Sequence, residues 1–324
     1  MKEAKFYENK GEHVLCTLCP HNCKIGNGST GVCKVRKNID GVLYSLNYEK
    51  ITSVALDPIE KKPLFHFYPG TKIFSIGSFS CNFKCDYCQN YEIVEGADLA
   101  IELNVERIVQ LEEESDSIGM AYTYNEPTIF YEMVEDLAKE MKNRGKKNVL
   151  VTNGYINNEP LINILPLIDA MNIDLKAMTD DFYKKICKGQ LDPVLETIKL
   201  AASKAHVEVT TLLIDDYNAS EEEIEKLSYF LSNIDKNIVL HFSRYFPQHK
   251  MTRPATSLNT LIRAKEIAQR HLNYVYIGNV FGFDNSTYCP NCHAKLIDRN
   301  LKIEIVGIDK NRCIHCGQKL PIIY

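Results

Sequence analysis

The 324-residue sequence predicts an α/β fold in which strands and helices alternate into a (β/α) barrel, partial or complete. Two observations predict it. Short apolar runs of strand length recur between segments of helical apolar spacing, and polar residues cluster where those runs end. A third observation gives the barrel a purpose: one run is followed directly by Cys81-Asn82-Phe83-Lys84-Cys85-Asp86-Tyr87-Cys88, three thiols in a stretch too dense for core packing.

Composition narrows the class. A net charge of −4 gives no broad attraction to phosphate backbones, so no nucleic-acid partner is expected. No run of eighteen apolar residues exists, and Met1-Lys2-Glu3-Ala4-Lys5 leads into polar sequence. Neither a membrane span nor a secretory leader is expected, and the location expected is cytoplasmic. Eleven of the twelve cysteines fall in three groups, which in such a chain favours metal binding over disulfides. Cys187 is left over and reads as a small buried hydrophobe with no assigned role.

Three units are expected: an N-terminal Cys-rich and β segment over 1–70, a barrel over 71–283, and a four-Cys metal ribbon over 284–324. In the first, Cys16, Cys19, Cys23 and Cys33 are joined by tight, Gly-rich turns, and four sulfurs so spaced can close a tetrahedral metal site or hold a second iron–sulfur cluster. His21 tops the turn between them. Short strands follow from Gly41 towards Val54. The stretch Glu60 to Gly70 has two prolines, so it cannot be a helix interior; its aromatics suit a plug beneath the cysteine loop. Lys61, Lys62 and His66 either pack and solvate there or face an anionic ligand.

The barrel begins with Lys72–Gly77, a buried strand bounded by glycines, which places the cysteine loop at a strand's C-terminal end. Further strands are expected at Ile118–Thr123, Asn148–Thr152, Ala170–Leu175, His206–Ile214, Asn237–Phe242 and Tyr274–Gly278. Helices are expected at Val105–Glu114, Pro127–Asn143, Pro193–Lys204, Ser220–Ser232 and Ser257–His271. Pro127 suits a first helical turn, and Ser220 with Glu223 reads as a capping box. Polar groups at the strand ends, Thr123 to Glu126, Thr152 to Gly154, Asp174 with Lys176, His241 to Arg244 and Gly278 with Asn279, would ring the barrel mouth. An acid for an ammonium, a cation for a carboxylate and amides for a ribose would suit a zwitterionic nucleoside, while turn chemistry alone accounts for Thr152, Asn153 and Gly154.

Three thiolates can ligate three irons of a [4Fe-4S] cube and leave the fourth iron open to a non-protein ligand. At the other end of the chain, Cys289, Cys292, Cys313 and Cys316 form C-x2-C-x20-C-x2-C, two knuckles able to close one S4 site as a zinc ribbon or a rubredoxin. Zinc would be structural. Iron could help deliver electrons to the cluster.

Cys-x3-Cys-x2-Cys with Tyr87 before the last cysteine resembles the motif of radical S-adenosylmethionine (radical SAM) enzymes. Thr123-Tyr124-Asn125-Glu126-Pro127 and Asp174-Leu175-Lys176 resemble the branch that contains pyruvate formate-lyase activating enzyme. Cys16 to Pro20, Glu60 to Gly70 and His241 to Arg244 resemble the radical SAM member of the AmmeMemoRadiSam system, over about Cys16 to Val280. The resemblance implies a radical SAM (β/α) barrel in which Cys81, Cys85 and Cys88 hold a [4Fe-4S] cluster and SAM binds its open iron. It further implies Tyr87 at the adenine, Glu126 at the SAM amino group, and Asp174 and Lys176 near its carboxylate. It implies reductive cleavage of SAM, hydrogen abstraction from a small-molecule or protein substrate, an electron donor, and Memo-like partner proteins. Activation of a glycyl-radical enzyme is the alternative reaction, and a non-catalytic electron-transfer or metal-binding role is the alternative class. One departure is visible: Val151 precedes Thr152-Asn153-Gly154 where the activating enzyme carries Asp, so a cation site using that Asp is not expected.

Overall fold

The computed structural model describes residues 1–324. Its centre is an eight-stranded sheet. An antiparallel edge strand β1 (Ser53–Pro58) pairs with β2 (Lys72–Gly77), and β3 (Gly119–Tyr122), β4 (Lys147–Thr152), β5 (Ala170–Asp174), β6 (His206–Leu213), β7 (Val239–Arg244) and β8 (Val275–Gly278) follow in chain order, all parallel to β2. The ladder is open, because β1 and β8 end it without pairing to each other. The sheet therefore begins before residue 71, inside the segment that the sequence places in the N-terminal unit.

Crossover helices α1 (Val105–Glu113), α2 (Tyr131–Asn143), α3 (Asn158–Ile164), α4 (Asp192–Ala202), α5 (Glu221–Ile234) and α6 (Leu258–Ala268) alternate with the parallel strands. Their apolar stripes bury Ile108, Leu137, Leu161, Ile198, Leu227 and Leu261 in one large core against the outer face of the sheet. No helix is long and apolar enough to cross a membrane. Ser220 caps α5 through the Glu223 N–H at 3.2 Å, an interaction of about 1 kcal/mol. The expected capping box is only half formed, because the Glu223 carboxylate accepts from the Met178 N–H instead. Pro127 opens a short 3-10 turn that runs into α2. The sequence reading omitted α3, which is only seven residues long and contains Pro160.

Side chains alternate in direction along a strand, so every second residue faces the barrel interior. The interior layer of Ile73, Ala121, Val149 and Ala170 packs on Ile59, Leu64 and Phe67 from the proline-bounded stretch. That stretch is a plug, as its aromatics suggested, but it fills the floor at the strands' N-terminal ends rather than lying directly under the loop. Glu208 near the start of β6 fixes it: its carboxylate accepts from the N–H groups of Phe65 and His66 at 2.9 and 2.7 Å, and meets His206 and His241 at 3.0 and 2.6 Å. Asn172 adds an Nδ2 bond to the Pro63 carbonyl.

The floor carries the C-terminal ribbon. Ile323 exchanges backbone bonds with His66 and Tyr68, and Arg299 donates to the Phe65 carbonyl at 2.5 Å while lying over its ring at 4.6 Å. The ribbon has its own small core of Cys289, Leu296, Ile297, Cys313, Leu320 and Ile322.

Candidate functional site

At the opposite, C-terminal ends of the strands, Cys81, Cys85 and Cys88 line one cavity of ≈ 250 Å³ together with Tyr87, Glu126, Asp174 and Lys176. The sequence placed these residues in one site, and the fold gathers them. Thr210, Leu212 and Ser243 complete the wall, on the same inward column as Glu208 and His241 below. Of the polar groups expected at the mouth, His241 is thus displaced to the floor, and Arg244 is spent on the Thr256 carbonyl at 2.8 Å. Lys62 and His66 also lie away from the loop: Lys62 is buried on Asp57 at 2.7 Å, and His66 bonds Tyr276 at 2.8 Å.

The cysteine loop is held from several directions. Gly77 ends β2 where a Cβ would stand 2.6 Å from the Thr123 carbonyl oxygen, so only glycine lets the chain turn into the loop there. The Asn153 side chain donates to Asn82 Oδ1 at 2.8 Å and to Cys81 Sγ at 3.6 Å, and the Phe83 N–H donates to the same sulfur at 3.3 Å. Amide donors to a cysteine sulfur stabilise its thiolate and tune a bound cluster. Burial pushes the Cys81 thiol up in the absence of such a ligand.

A second support was not legible in sequence. Beyond β5 the chain makes a single π-type turn, Tyr183–Cys187, a geometry common at functional sites. Its carbonyls at Cys187 and Ile186 accept from the N–H groups of Lys84 and Asp86. The buried Cys187 thiol lies 3.8 Å from the Tyr87 hydroxyl, and the nearness of Cys187, followed by burial, holds the Cys85 thiol well above its ordinary value. Cys187 is therefore part of the site rather than a bystander. No motif spacing marks it, because the contact spans about a hundred residues of chain.

Lys176 pairs with Asp174 at 3.1 Å and lies 6.0 Å from the Tyr87 ring centroid. Burial acts to lower its pKa, but Asp174 first, then Cys85 and Cys187, hold it well above the lysine range. Glu126 is nearly inaccessible. It accepts from the N–H groups of Thr128 and Asn153 and from the Thr152 hydroxyl at 3.0, 2.8 and 2.7 Å, while burial raises its pKa. It thus ties the ends of β3 and β4 together as well as facing the cavity.

The three cysteine sets differ in geometry. The Sγ atoms of Cys289, Cys292, Cys313 and Cys316 all lie within 4.8 Å of one another, with Cys289 to Cys316 and Cys292 to Cys313 at 3.6 Å. A single tetrahedral ion with bonds near 2.3 Å sets its sulfurs roughly 3.8 Å apart, so this donor set fits one metal ion. In neither of the other sets do three sulfurs come so close. The ribbon sits on the floor, so strands of six residues, roughly 20 Å long, separate it from the cysteine loop. That distance argues against ribbon iron as a direct electron source for the loop.

Comparison with known proteins agrees with this architecture. Residues 75–228 match the Radical SAM superfamily, and the whole chain is 45% identical over its full length to the full length of an uncharacterized protein of Methanocaldococcus jannaschii. The chain belongs to the radical SAM superfamily. A second M. jannaschii protein, provisionally named a glycyl-radical enzyme activating enzyme, is 27% identical over 61% of this chain and 77% of its own. The (2S)-3-sulfopropanediol dehydratase activating enzyme of Klebsiella oxytoca is 28% identical over 36% of this chain and 37% of its own. The fold is shared with Streptococcus suis SuiB bound to precursor peptide SuiA, at a TM-score of 0.50 and 15% identity over 69% of this chain and 52% of that one. The protein is a radical SAM enzyme, and membership implies a [4Fe-4S] cluster and SAM. The three soft sulfurs, the amide donors around Cys81 and the charged groups across the same cavity fit both.

Proposed function

We propose that Cys81, Cys85 and Cys88 hold the [4Fe-4S] cluster and that Tyr87, Glu126, Asp174 and Lys176 position SAM for hydrogen abstraction from a substrate. The observation that carries this reading is the shared cavity, which three thiols, an acid and an ammonium line together. When bound, cluster and SAM supply one-electron cleavage of the sulfonium to methionine and a 5'-deoxyadenosyl radical, which takes a hydrogen atom from the substrate. The chain's part is placement and exclusion. Lys176 offers a charge-assisted bond to a carboxylate, and Glu126 has lone pairs left for an ammonium. The plugged floor keeps solvent from entering from below.

Anaerobically reconstituted protein, given SAM and a strong reductant, is expected to form 5'-deoxyadenosine. A fully iron-loaded sample that forms none would overturn the reading. Cys85→Ala should remove cluster absorbance and product together.

Activation of a glycyl-radical enzyme is the second reading, favoured by the names of the two activating-enzyme relatives. Deuterium transfer from labelled candidate substrates into 5'-deoxyadenosine separates it from small-molecule chemistry. Memo-like partner proteins belong to this proposal through the resemblance of Cys16 to Pro20, Glu60 to Gly70 and His241 to Arg244 alone.

A further inference from the structure

The N-terminal segment that carries the four cysteines is hydrogen-bonded directly to the cysteine loop. Ser80, at a left-handed φ of +70°, donates its hydroxyl to the Cys33 carbonyl at 2.5 Å and is the chain neighbour of Cys81. His21, between Cys19 and Cys23, bonds the Asn82 carbonyl through Nε2 at 2.8 Å. On the first route, one hydrogen bond and one peptide step join the two sets. A cavity of ≈ 550 Å³ has Lys34 on one side and Cys81, Cys85 and Cys88 on the other.

Arg36 is a second, independent observation. It is 1% exposed, pairs with the equally buried Glu132 at 2.6 Å and donates to the Lys5 carbonyl at 2.8 Å. Its buried Nε–H has no acceptor. Its charge acts on Cys16 and Cys33. A buried cation with a spare donor near two of the four thiols suits the net negative charge of a metal–thiolate centre. The four sulfurs are not drawn into the tight group seen in the ribbon. In a cube each cysteine binds a different iron, so its sulfurs stand farther apart than those around one ion.

We infer that Cys16, Cys19, Cys23 and Cys33 hold an iron–sulfur cluster that passes single electrons to the centre at Cys81, Cys85 and Cys88. The transfer rests on the function proposed above, whereas the cluster itself does not. In each transfer a low-potential one-electron donor is oxidised by one electron, the N-terminal cluster is reduced and then reoxidised, and the Cys81 centre ends reduced by one. No bond breaks and no proton moves. Tunnelling falls exponentially with distance, so the direct hydrogen bonds between the two cysteine-bearing segments are what make the route useful.

The first arm uses the full chain carrying Cys81→Ala, Cys85→Ala and Cys88→Ala, reconstituted without oxygen with iron and sulfide. Iron and acid-labile sulfide should remain in near-equal amounts, and both should be lost when Cys23→Ser and Cys33→Ser are added with circular dichroism unchanged. Labile sulfide is decisive because a single ion in the ribbon brings none. Absence of sulfide, with or without zinc, overturns the cluster.

If the five-site variant fails to fold, Cys23→Ser alone on the three-alanine background keeps the test, since Cys23 is the less buried of that pair. The second arm follows the reduced Cys81 centre by EPR in the otherwise unaltered Cys23→Ser protein. With a limiting reduced ferredoxin, its rate of appearance should fall at least tenfold, while excess dithionite reaches the same end point. Equal rates overturn the relay. A Cys81 centre that never assembles in the unaltered protein instead counts against the function proposed above, and leaves the first arm valid.

Discussion

Gly189 faces the ring of Phe83 so closely that an added Cβ would sit 2.2 Å from ring carbon Cε1. The second residue after the π-type turn is thereby pressed onto the middle of the cysteine loop. Gly189→Ala must push Phe83 away and disturb Cys81 and Cys85 on either side of it. The expected outcome is an iron content reduced several-fold with secondary structure retained, read by iron analysis beside circular dichroism.

Cys187 touches the same loop through its thiol. With Cys85 bound to a cluster as thiolate, the Cys187 S–H would be the group left to donate, so replacing Cys187 by alanine removes that donor but no ligand. The cluster should still assemble, and its reduction potential should move to more negative values, because hydrogen bonds to cluster sulfurs raise the potential. Potentiometric EPR titration of Cys187→Ala against the unaltered protein checks this; an unchanged potential would remove Cys187 from the site.

Lys176→Met deletes from the cavity the ammonium that pairs with Asp174. A charge-assisted bond contributes about 1.5–3 kcal/mol, so SAM affinity should fall roughly ten- to a hundredfold. Anaerobic calorimetry on cluster-loaded protein measures it. Unaltered cluster absorbance in the variant shows that the loss belongs to SAM alone.

The ribbon core has six buried residues, two of them cysteines, which is too little to fold without a metal. Cys313→Ser should release the metal and make residues 284–324 sensitive to protease. Metal analysis with limited proteolysis reads both. The Cys81 cluster should persist, since the ribbon is joined to the barrel at its floor.

Burial pushes His66 down to about 3; Glu208 pulls it up by less, and Arg299, His206 and His241 add to the lowering. An unfolded histidine titrates near 6.5. Between those values the unfolded state binds a proton that the folded state refuses, so this contribution to stability is complete above about 6.5 and is lost as pH falls. The slope from this residue is about 1.4 kcal/mol per pH unit. Glu208, held well below the carboxylate range, adds a loss of the same sign at lower pH. Denaturant unfolding of His66→Gln between pH 6.5 and 4 should show the shallower dependence.

Strands with strong apolar patterns were legible from the chain alone: Lys72–Gly77 has the expected bounds, and Ala170–Asp174 stops one residue short of them. The site residues were legible because their chemistry is local, three cysteines in one loop and polar groups at strand ends. What escaped is tertiary. The pairing of Ser53–Pro58 with β2, the turn that brings Cys187 to Cys85, and the burial of His241 on Glu208 all depend on partners distant in sequence. Asn153 was readable as a turn residue, and only the fold shows its amide pointed at Cys81.

The bond from Arg299 to the Phe65 carbonyl joins positions 234 residues apart. The floor is therefore fastened by a module that contributes no strand to the eight-stranded sheet, so whatever loosens the ribbon also removes a fixing from the closed end of the barrel.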